Sequence, residues 1–196
     1  MPNKFAIRNP KSDIPHRNPQ SEILLIVVTL FLFLTLVALR SAVGAQETKG
    51  QLVKVEYDSN KDITQISLNP FILASRKPEE LRLGAIAAYK GKVRVRPAEV
   101  TLIFLSLSAS DTSKYESARK LTVTADGQHL ALGEARHSKQ AQNGLFVETL
   151  MIAIPIDVFL RVCGSKDVTM KIGFTEVELS PKQMEILRIA ASYMTE

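Results

Sequence analysis

A continuous apolar run from Ile23 to Leu39 constrains this chain most strongly, because folded soluble domains rarely carry such a segment at their terminus. The run has seventeen residues, is interrupted only by Thr29 and Thr35, and contains no charge before Arg40. A helix rising about 1.5 Å per residue would extend roughly 25 Å, slightly less than the hydrocarbon core of a bilayer. The segment therefore indicates either a signal peptide or a single transmembrane anchor.

Basic residues before the apolar run predict its orientation. Lys4, Arg8, Lys11 and Arg17 outnumber the acidic residues of the same stretch. Because positive charge is retained on the cytoplasmic side, we expect residues 1–22 to lie in the cytoplasm. This first region is proline-rich and poor in apolar residues, which predicts disorder. Everything beyond the apolar run should lie outside the cytoplasm, whether periplasmic, secreted or anchored to the membrane.

Residues 23–45 are assigned as the signal peptide or anchor. The small residues Val43-Gly44-Ala45 favour cleavage after Ala45, whereas the length of the apolar run favours a retained anchor. If it is uncleaved, residues 23–39 would hold the protein in the membrane. No cysteine lies near this point, so lipid attachment to a mature N-terminal cysteine is not expected. The remaining chain, residues 46–196, is predicted to be one extracytoplasmic domain.

The basic character of the chain is concentrated near the apolar segment. Residues 1–45 hold five Lys or Arg against two acids, and residues 46–196 hold twenty against eighteen. A nucleic-acid-binding domain carries its excess of cations in the folded module, and here the folded module is nearly neutral. The sequence pI of about 9.3 therefore indicates targeting, and we expect no nucleic acid partner.

Alternating apolar and polar residues predict β-strands through most of the outer domain. Leu52–Tyr57 and Ile63–Leu68 form an expected opening hairpin, in which Pro70 disfavours a central position for the second strand. A second hairpin is expected around Asp126-Gly127, which suits a type I′ turn. The segment Val100–Leu107 is apolar almost throughout, which predicts a central strand covered on both faces.

The last third of the chain mixes strand and helix signals. Asn143-Gly144 predicts a tight turn, although the polar stretch Ser138–Gln142 favours a longer loop before the apolar run that follows. Pro155 and Gly164 are placed to begin and close a short helix, and Gly173 is expected to break a strand. Ser180-Pro181-Lys182-Gln183 forms a capping box for a helix reaching about Met194. The apolar stripe of that helix should pack on the sheet: Met184, Leu187, Ala191 and Met194.

These elements predict a mainly β fold, an antiparallel β-sandwich or open barrel with a C-terminal α-helix, preceded by the N-terminal apolar signal or anchor helix. Cys163 is the only cysteine and follows an apolar run, which is typical of a buried, unreactive thiol.

No catalytic, cofactor-binding or metal-ligating residue can be assigned from the sequence. His129 and His137 should lie on one exposed strand face about 26 Å apart, too far to share a metal ion. The chain has neither a Gly-x-Ser-x-Gly elbow nor a glycine-rich phosphate loop. The sequence favours a protein that is not an enzyme and predicts no cofactor.

One surface feature stands out, the basic segment formed by residues 90–96. Its cations alternate with glycine or valine: Lys90, Lys92, Arg94 and Arg96. In a strand all four would lie on one face over roughly 20 Å, where they could bind anionic lipid, an acidic polymer or an acidic protein. No aromatic residue interleaves them for stacking on bases. Alternatively the segment is a solvated face paired with acids such as Glu56 or Glu134, or a charged edge strand.

Together these features predict an exported or membrane-anchored extracytoplasmic binding or interaction module of unassigned ligand. Two alternatives remain. The chain could be an exported hydrolase whose active site is dispersed along the sequence, or a structural component of the cell envelope.

Overall fold

The computed structural model of this protein describes residues 52–110, 112–142 and 144–195. Over these residues the chain is mainly β, with two antiparallel sheets and two helices, one of them C-terminal. This agrees with the predicted class. Residues 1–22 and 23–45 lie outside the described residues, so the disordered region and the signal or anchor helix stay predictions. No helix within the described ranges is long and apolar enough to cross a membrane.

The larger sheet has six strands in the order β1-β2-β3-β4-β8-β7. Their bounds are β1 Val53–Asp58, β2 Ile63–Arg76, β3 Glu79–Lys90, β4 Glu99–Ser108, β7 Arg136–Gln142 and β8 Leu145–Pro155. The smaller sheet has the order β10-β9-β5-β6. Its strands are β5 Lys120–Ala125, β6 Gln128–Glu134, β9 Val168–Ile172 and β10 Thr175–Glu178. The helices are α1, Ile156–Gly164, and α2, Pro181–Met194.

Strand β4 is central, as its apolar sequence predicts. It pairs with β3 on one side and with β8 on the other. Leu102 and Phe104 point into the main hydrophobic core, and Thr101 and Ile103, on the opposite face, are also buried. Burial on both faces explains why this strand lacks the usual alternation of apolar and polar residues.

A single hydrophobic core joins both sheets and both helices. Its fully buried members come from every layer and include Leu68, Leu83, Phe104, Leu121, Leu150, Ile172, Phe159 and Leu187. The core thus removes a large apolar area from water without any disulfide, since the single cysteine is free.

The two predicted hairpins are confirmed. β1 pairs with β2 from Val53 opposite Leu68 to Asp58 opposite Ile63, and β5 pairs with β6 across the Asp126-Gly127 turn. Asp126 and Gly127 have φ values of 49° and 77°, as a type I′ turn requires.

Two local predictions are wrong. The polar stretch Ser138–Gln142 belongs to strand β7, which pairs with β8 up to Gln142 opposite Leu145, and is not a longer loop. Backbone pairing with β8 overrides the weak apolar signal of this edge strand. Strand β2 is also central, because it lies between β1 and β3. Pro70 is tolerated there because β1 pairs only as far as Leu68 and a register shift follows before Phe71.

Both helices form where their end signals predict. In α2, Ser180 accepts a hydrogen bond from the Gln183 backbone, and the Gln183 side chain reaches back to the Ser180 backbone, completing the capping box. The predicted stripe of Met184, Leu187, Ala191 and Met194 is buried in full. For α1 both signals lie one residue earlier in the helix than expected. Pro155 precedes the first helical residue instead of occupying it, and Gly164 is the last helical residue instead of following it.

Gly173 turns the chain between β9 and β10, as expected, and tolerates no side chain. Its φ is +56°, and an added Cβ would lie 2.2 Å from the carbonyl oxygen of Ala118. We therefore expect Gly173→Ala to lower the free energy of unfolding through two costs. Positive φ at a residue other than glycine costs about 1–2 kcal/mol, and the clash with Ala118 adds about 1–3 kcal/mol. Denaturant unfolding measures the loss.

Gly127→Ala is the matched control, because Gly127 also has positive φ, +77°, but nothing lies within 4 Å of an added Cβ. It should show the conformational cost alone. Equal losses for the two variants would contradict the proposed steric contribution at Gly173.

Candidate functional site

The basic segment is not a strand, so this part of the prediction is wrong. Lys90 ends β3, and residues 91–98 form an irregular connection to β4. Gly91 has φ of +83° and turns the chain out of the sheet. Its N–H donates to the Asp62 carbonyl at 2.8 Å and its carbonyl accepts from the Thr64 hydroxyl at 2.5 Å. The two-residue periodicity therefore does not place the cations on one strand face.

Every residue from Lys92 to Arg96 is exposed. Lys92 places its Nζ 4.8 Å from the centre of the Tyr57 ring. Arg94 donates from Nη2 to the carbonyl oxygen of Ser192 at 2.5 Å, and Arg96 forms an ion pair with Asp157. Within the described ranges Lys90 has no ion-pair partner.

The acids expected as alternative partners are engaged elsewhere. Glu56 pairs with Lys54 at 2.5 Å, and Glu134 lies 3.9 Å from Arg119. The alternative that these acids neutralise the basic segment is therefore wrong.

The two arginines instead fix the segment against the helices. Ser192 lies in the last turn of α2, where carbonyl groups lack intrahelical donors and a cation is favourable. Asp157 lies in the first turn of α1. The segment thus presents its positive charge from an anchored rather than a free loop.

A second cluster surrounds the buried carboxylate of Glu148 on β8. Its residue exposure is 1%, and it accepts four hydrogen bonds. Oε1 receives the Ser113 hydroxyl at 2.6 Å, the Tyr115 backbone N–H at 3.1 Å and His137 Nε2 at 2.9 Å, and Oε2 receives the Lys114 backbone N–H at 2.9 Å. Because an ionised carboxylate only accepts, Nε2 of His137 carries the proton in this arrangement.

These hydrogen bonds hold the carboxylate in its charged form. Burial opposes ionisation of Glu148, but the hydrogen bonds from Ser113, Lys114, Tyr115 and His137 outweigh it and hold the pKa of that carboxyl below its ordinary value. The cluster therefore fastens the long β4–β5 connection to β7 and β8 through one ionised group.

The cluster has the residue types of a hydrolytic triad in the wrong order. In such a triad the histidine lies between the serine and the carboxylate, and accepts the serine proton. Here Ser113 donates directly to Glu148, and His137 bonds to the same carboxylate oxygen. This geometry anchors a loop and does not activate the serine.

The two outer-domain histidines do not share a strand, contrary to prediction. His129 lies on β6 of the smaller sheet and His137 on β7 of the larger one, because the chain changes sheet at Ala135. The His137 side chain is only 8% exposed, so it is not the expected surface residue. The sequence carries one signal for its partner: Glu148 is the only acid inside the apolar run Leu145–Ile154, which indicates a buried carboxylate.

A shallow cleft of about 310 Å³ lies beside this cluster. It is bounded by the β2–β3 turn region, by Lys114 and Tyr115, and by the β9–β10 turn. Lys114 pairs with Glu79 at 2.7 Å, and the Tyr115 hydroxyl lies 2.8 Å from Thr175 Oγ1. Phe174 is 79% exposed at its rim. The paired charges leave no concentration of one sign inside it.

Neither reactive nor metal-binding chemistry is indicated by the remaining residues. Burial raises the pKa of the Cys163 thiol to about 12, which leaves it protonated and, as predicted, buried. Among the described residues no group of three or more His, Cys, Asp or Glu side chains could hold a metal ion.

Comparison with protein families, curated proteins and solved structures finds no match for this chain.

Proposed function

We propose that this chain is an exported or membrane-anchored binding module that works outside the cytoplasm and recognises an anionic partner through the basic segment. The observation that carries the proposal is the concentration of cations on one anchored connection of a nearly neutral domain. All of residues 92–96 are exposed, and Lys90 has no ion-pair partner among the described residues. Location outside the cytoplasm is supported by the apolar run and the basic residues before it.

The packing of the two sheets supports a rigid scaffold for such a module. We infer that they stack face to face as a β-sandwich, because inward side chains of both sheets belong to one core. The basic segment leaves this scaffold between two strands of the larger sheet and is tied to both helices. A preorganised surface loses less conformational entropy on binding than a free loop.

Catalysis is not proposed. In the cluster around Glu148 the serine is bonded to the carboxylate and not to the histidine. The other alternative, a structural component of the cell envelope, is supported only by the predicted location.

The test reverses the two lysines, because Arg94 and Arg96 also hold the segment in place. Lys90→Glu combined with Lys92→Glu should reduce retention on an anionic matrix by at least about tenfold, since each cation near an anionic surface contributes about 1 kcal/mol. The protein should be taken as cells produce it, in neutral detergent micelles that accommodate an uncleaved apolar segment. Raised salt should imitate the loss, because exposed charges are screened over about 8 Å at physiological ionic strength.

Lys166→Glu combined with Lys182→Glu is the matched control. Both lysines are exposed and distant in sequence from the basic segment, and their reversal changes the net charge equally. The control should keep its retention, and both double variants should keep the melting temperature to within a few degrees. Equal losses of retention in the two variants would overturn recognition by the basic segment.

A further inference from the structure

We infer that the anionic partner is a phospholipid bilayer surface, an inference that rests on the proposed function. The basic segment exposes apolar side chains as well as cations. Val93 is 79% exposed and Val95 is 43% exposed, although valine is usually buried. These two valines lie between Lys92, Arg94 and Arg96, so apolar and cationic groups alternate along one exposed connection.

The end of α2 adds an aromatic residue beside this connection. Arg94 bonds to the carbonyl oxygen of Ser192, and the next residue, Tyr193, is 37% exposed. Tyrosine has an apolar ring and a polar hydroxyl, which suits the boundary between lipid headgroups and acyl chains. Two exposed valines on the connection, and Tyr193 next to the residue that holds Arg94, therefore accompany the cations, of which Arg96 is paired with Asp157.

This combination distinguishes a bilayer from the other anionic partners. A soluble acidic polymer is bound through the cations alone and offers no apolar phase for Val93 and Val95. An anionic bilayer offers both phosphate groups for the cations and an acyl boundary for the valines. Arg94 and Arg96 are held by Ser192 and Asp157, so the connection that carries the two valines is fixed against the helices.

Phe174 is as exposed as Val93, 79%, but it lies in a different electrostatic setting. Phe174 borders the cleft that Glu79, Glu80 and Glu176 also line. Arg76 and Lys114 line the same cleft, so its charges are of both signs and it offers no excess of cations to an anionic surface. Of the two most exposed apolar side chains, Val93 has an excess of cations beside it and Phe174 does not, which favours the basic segment as the membrane-facing surface.

The experiment places an environment-sensitive fluorophore at position 93 through Val93→Cys. Cys163 does not compete for the label, because it is buried and its thiol pKa is about 12. The protein, as cells produce it, is incorporated into or added to vesicles of phosphatidylcholine with or without phosphatidylglycerol. Emission at position 93 should shift to shorter wavelength, and nitroxide lipids should quench it, only when phosphatidylglycerol is present. A label introduced by Lys182→Cys should respond in neither vesicle.

Retention on immobilised polyphosphate, measured beside the vesicle experiment, separates the two proposals. Retention on polyphosphate without any response of the position 93 label to phosphatidylglycerol would overturn the lipid inference and leave the proposed function standing. Charge-dependent binding to neither polyphosphate nor phosphatidylglycerol vesicles would overturn both. Loss of the label response in the Lys90→Glu and Lys92→Glu background would support both.

Discussion

Replacing Glu148 with leucine is expected to lower the free energy of unfolding by about 3–5 kcal/mol, a large part of the about 5–15 kcal/mol that stabilises an ordinary domain. The change removes the acceptor of four hydrogen bonds at once. The Ser113 hydroxyl, His137 Nε2 and two backbone N–H groups would lose their partner in a buried site. Each buried donor left unsatisfied costs about 1–3 kcal/mol, partly offset where water can enter.

Denaturant unfolding should be compared with that of Glu116→Leu. Glu116 belongs to the same connection between β4 and β5, but it is exposed and pairs with Lys139 at the surface. Its loss should cost less than about 1 kcal/mol. If Glu148→Leu proved as mild as Glu116→Leu, the carboxylate would not fasten the connection.

The same residue predicts a pH dependence whose sign follows from its lowered pKa. Because the folded protein holds the pKa of Glu148 below its ordinary value of 4.5, the unfolded chain binds more protons between the two values. The stabilisation from Glu148 is complete at a pH above the ordinary pKa, and it is lost as the pH falls towards the pKa of Glu148 in the folded protein. Glu148→Gln should therefore flatten the acid side of the stability profile. An unchanged acid limb would contradict the assignment.

Leu187→Asp is expected to abolish folding of the described domain or make the protein insoluble. Leu187 is 0% exposed and lies on the buried face of α2. An aspartate there would have to remain unpaired in an apolar site or become protonated, at a cost of several kcal/mol against a total stability of about 5–15 kcal/mol. Circular dichroism and yield of soluble protein report the outcome.

Lys182→Asp provides the control on the same helix. Lys182 is exposed in the first turn of α2, where an acidic side chain is favourable to the helix dipole. It should leave the melting temperature unchanged or slightly raised. Tolerance of Leu187→Asp to the same degree would show that α2 does not stabilise the fold.

Signals that act over a few residues were sufficient to predict several elements. Asp126 and Gly127 specify a tight turn because their backbone tolerates positive φ. Ser180 and Gln183 specify the start of α2 because they satisfy each other's backbone N–H groups. The apolar run of β4 specifies a strand buried on both faces. Each of these features depends on local chemistry, which a sequence displays directly.

The tertiary structure alone decided what the polar residues do. The alternation in the basic segment is that of a strand, but Gly91 turns the chain away, and contacts with Ser192 and Asp157 set its path. Likewise Ser113, His137 and Glu148 are distant in sequence and meet only because β7 and β8 pair and the β4–β5 connection folds over them. Periodicity states which residues prefer burial, whereas the partner of a charge depends on which distant segments the core brings together.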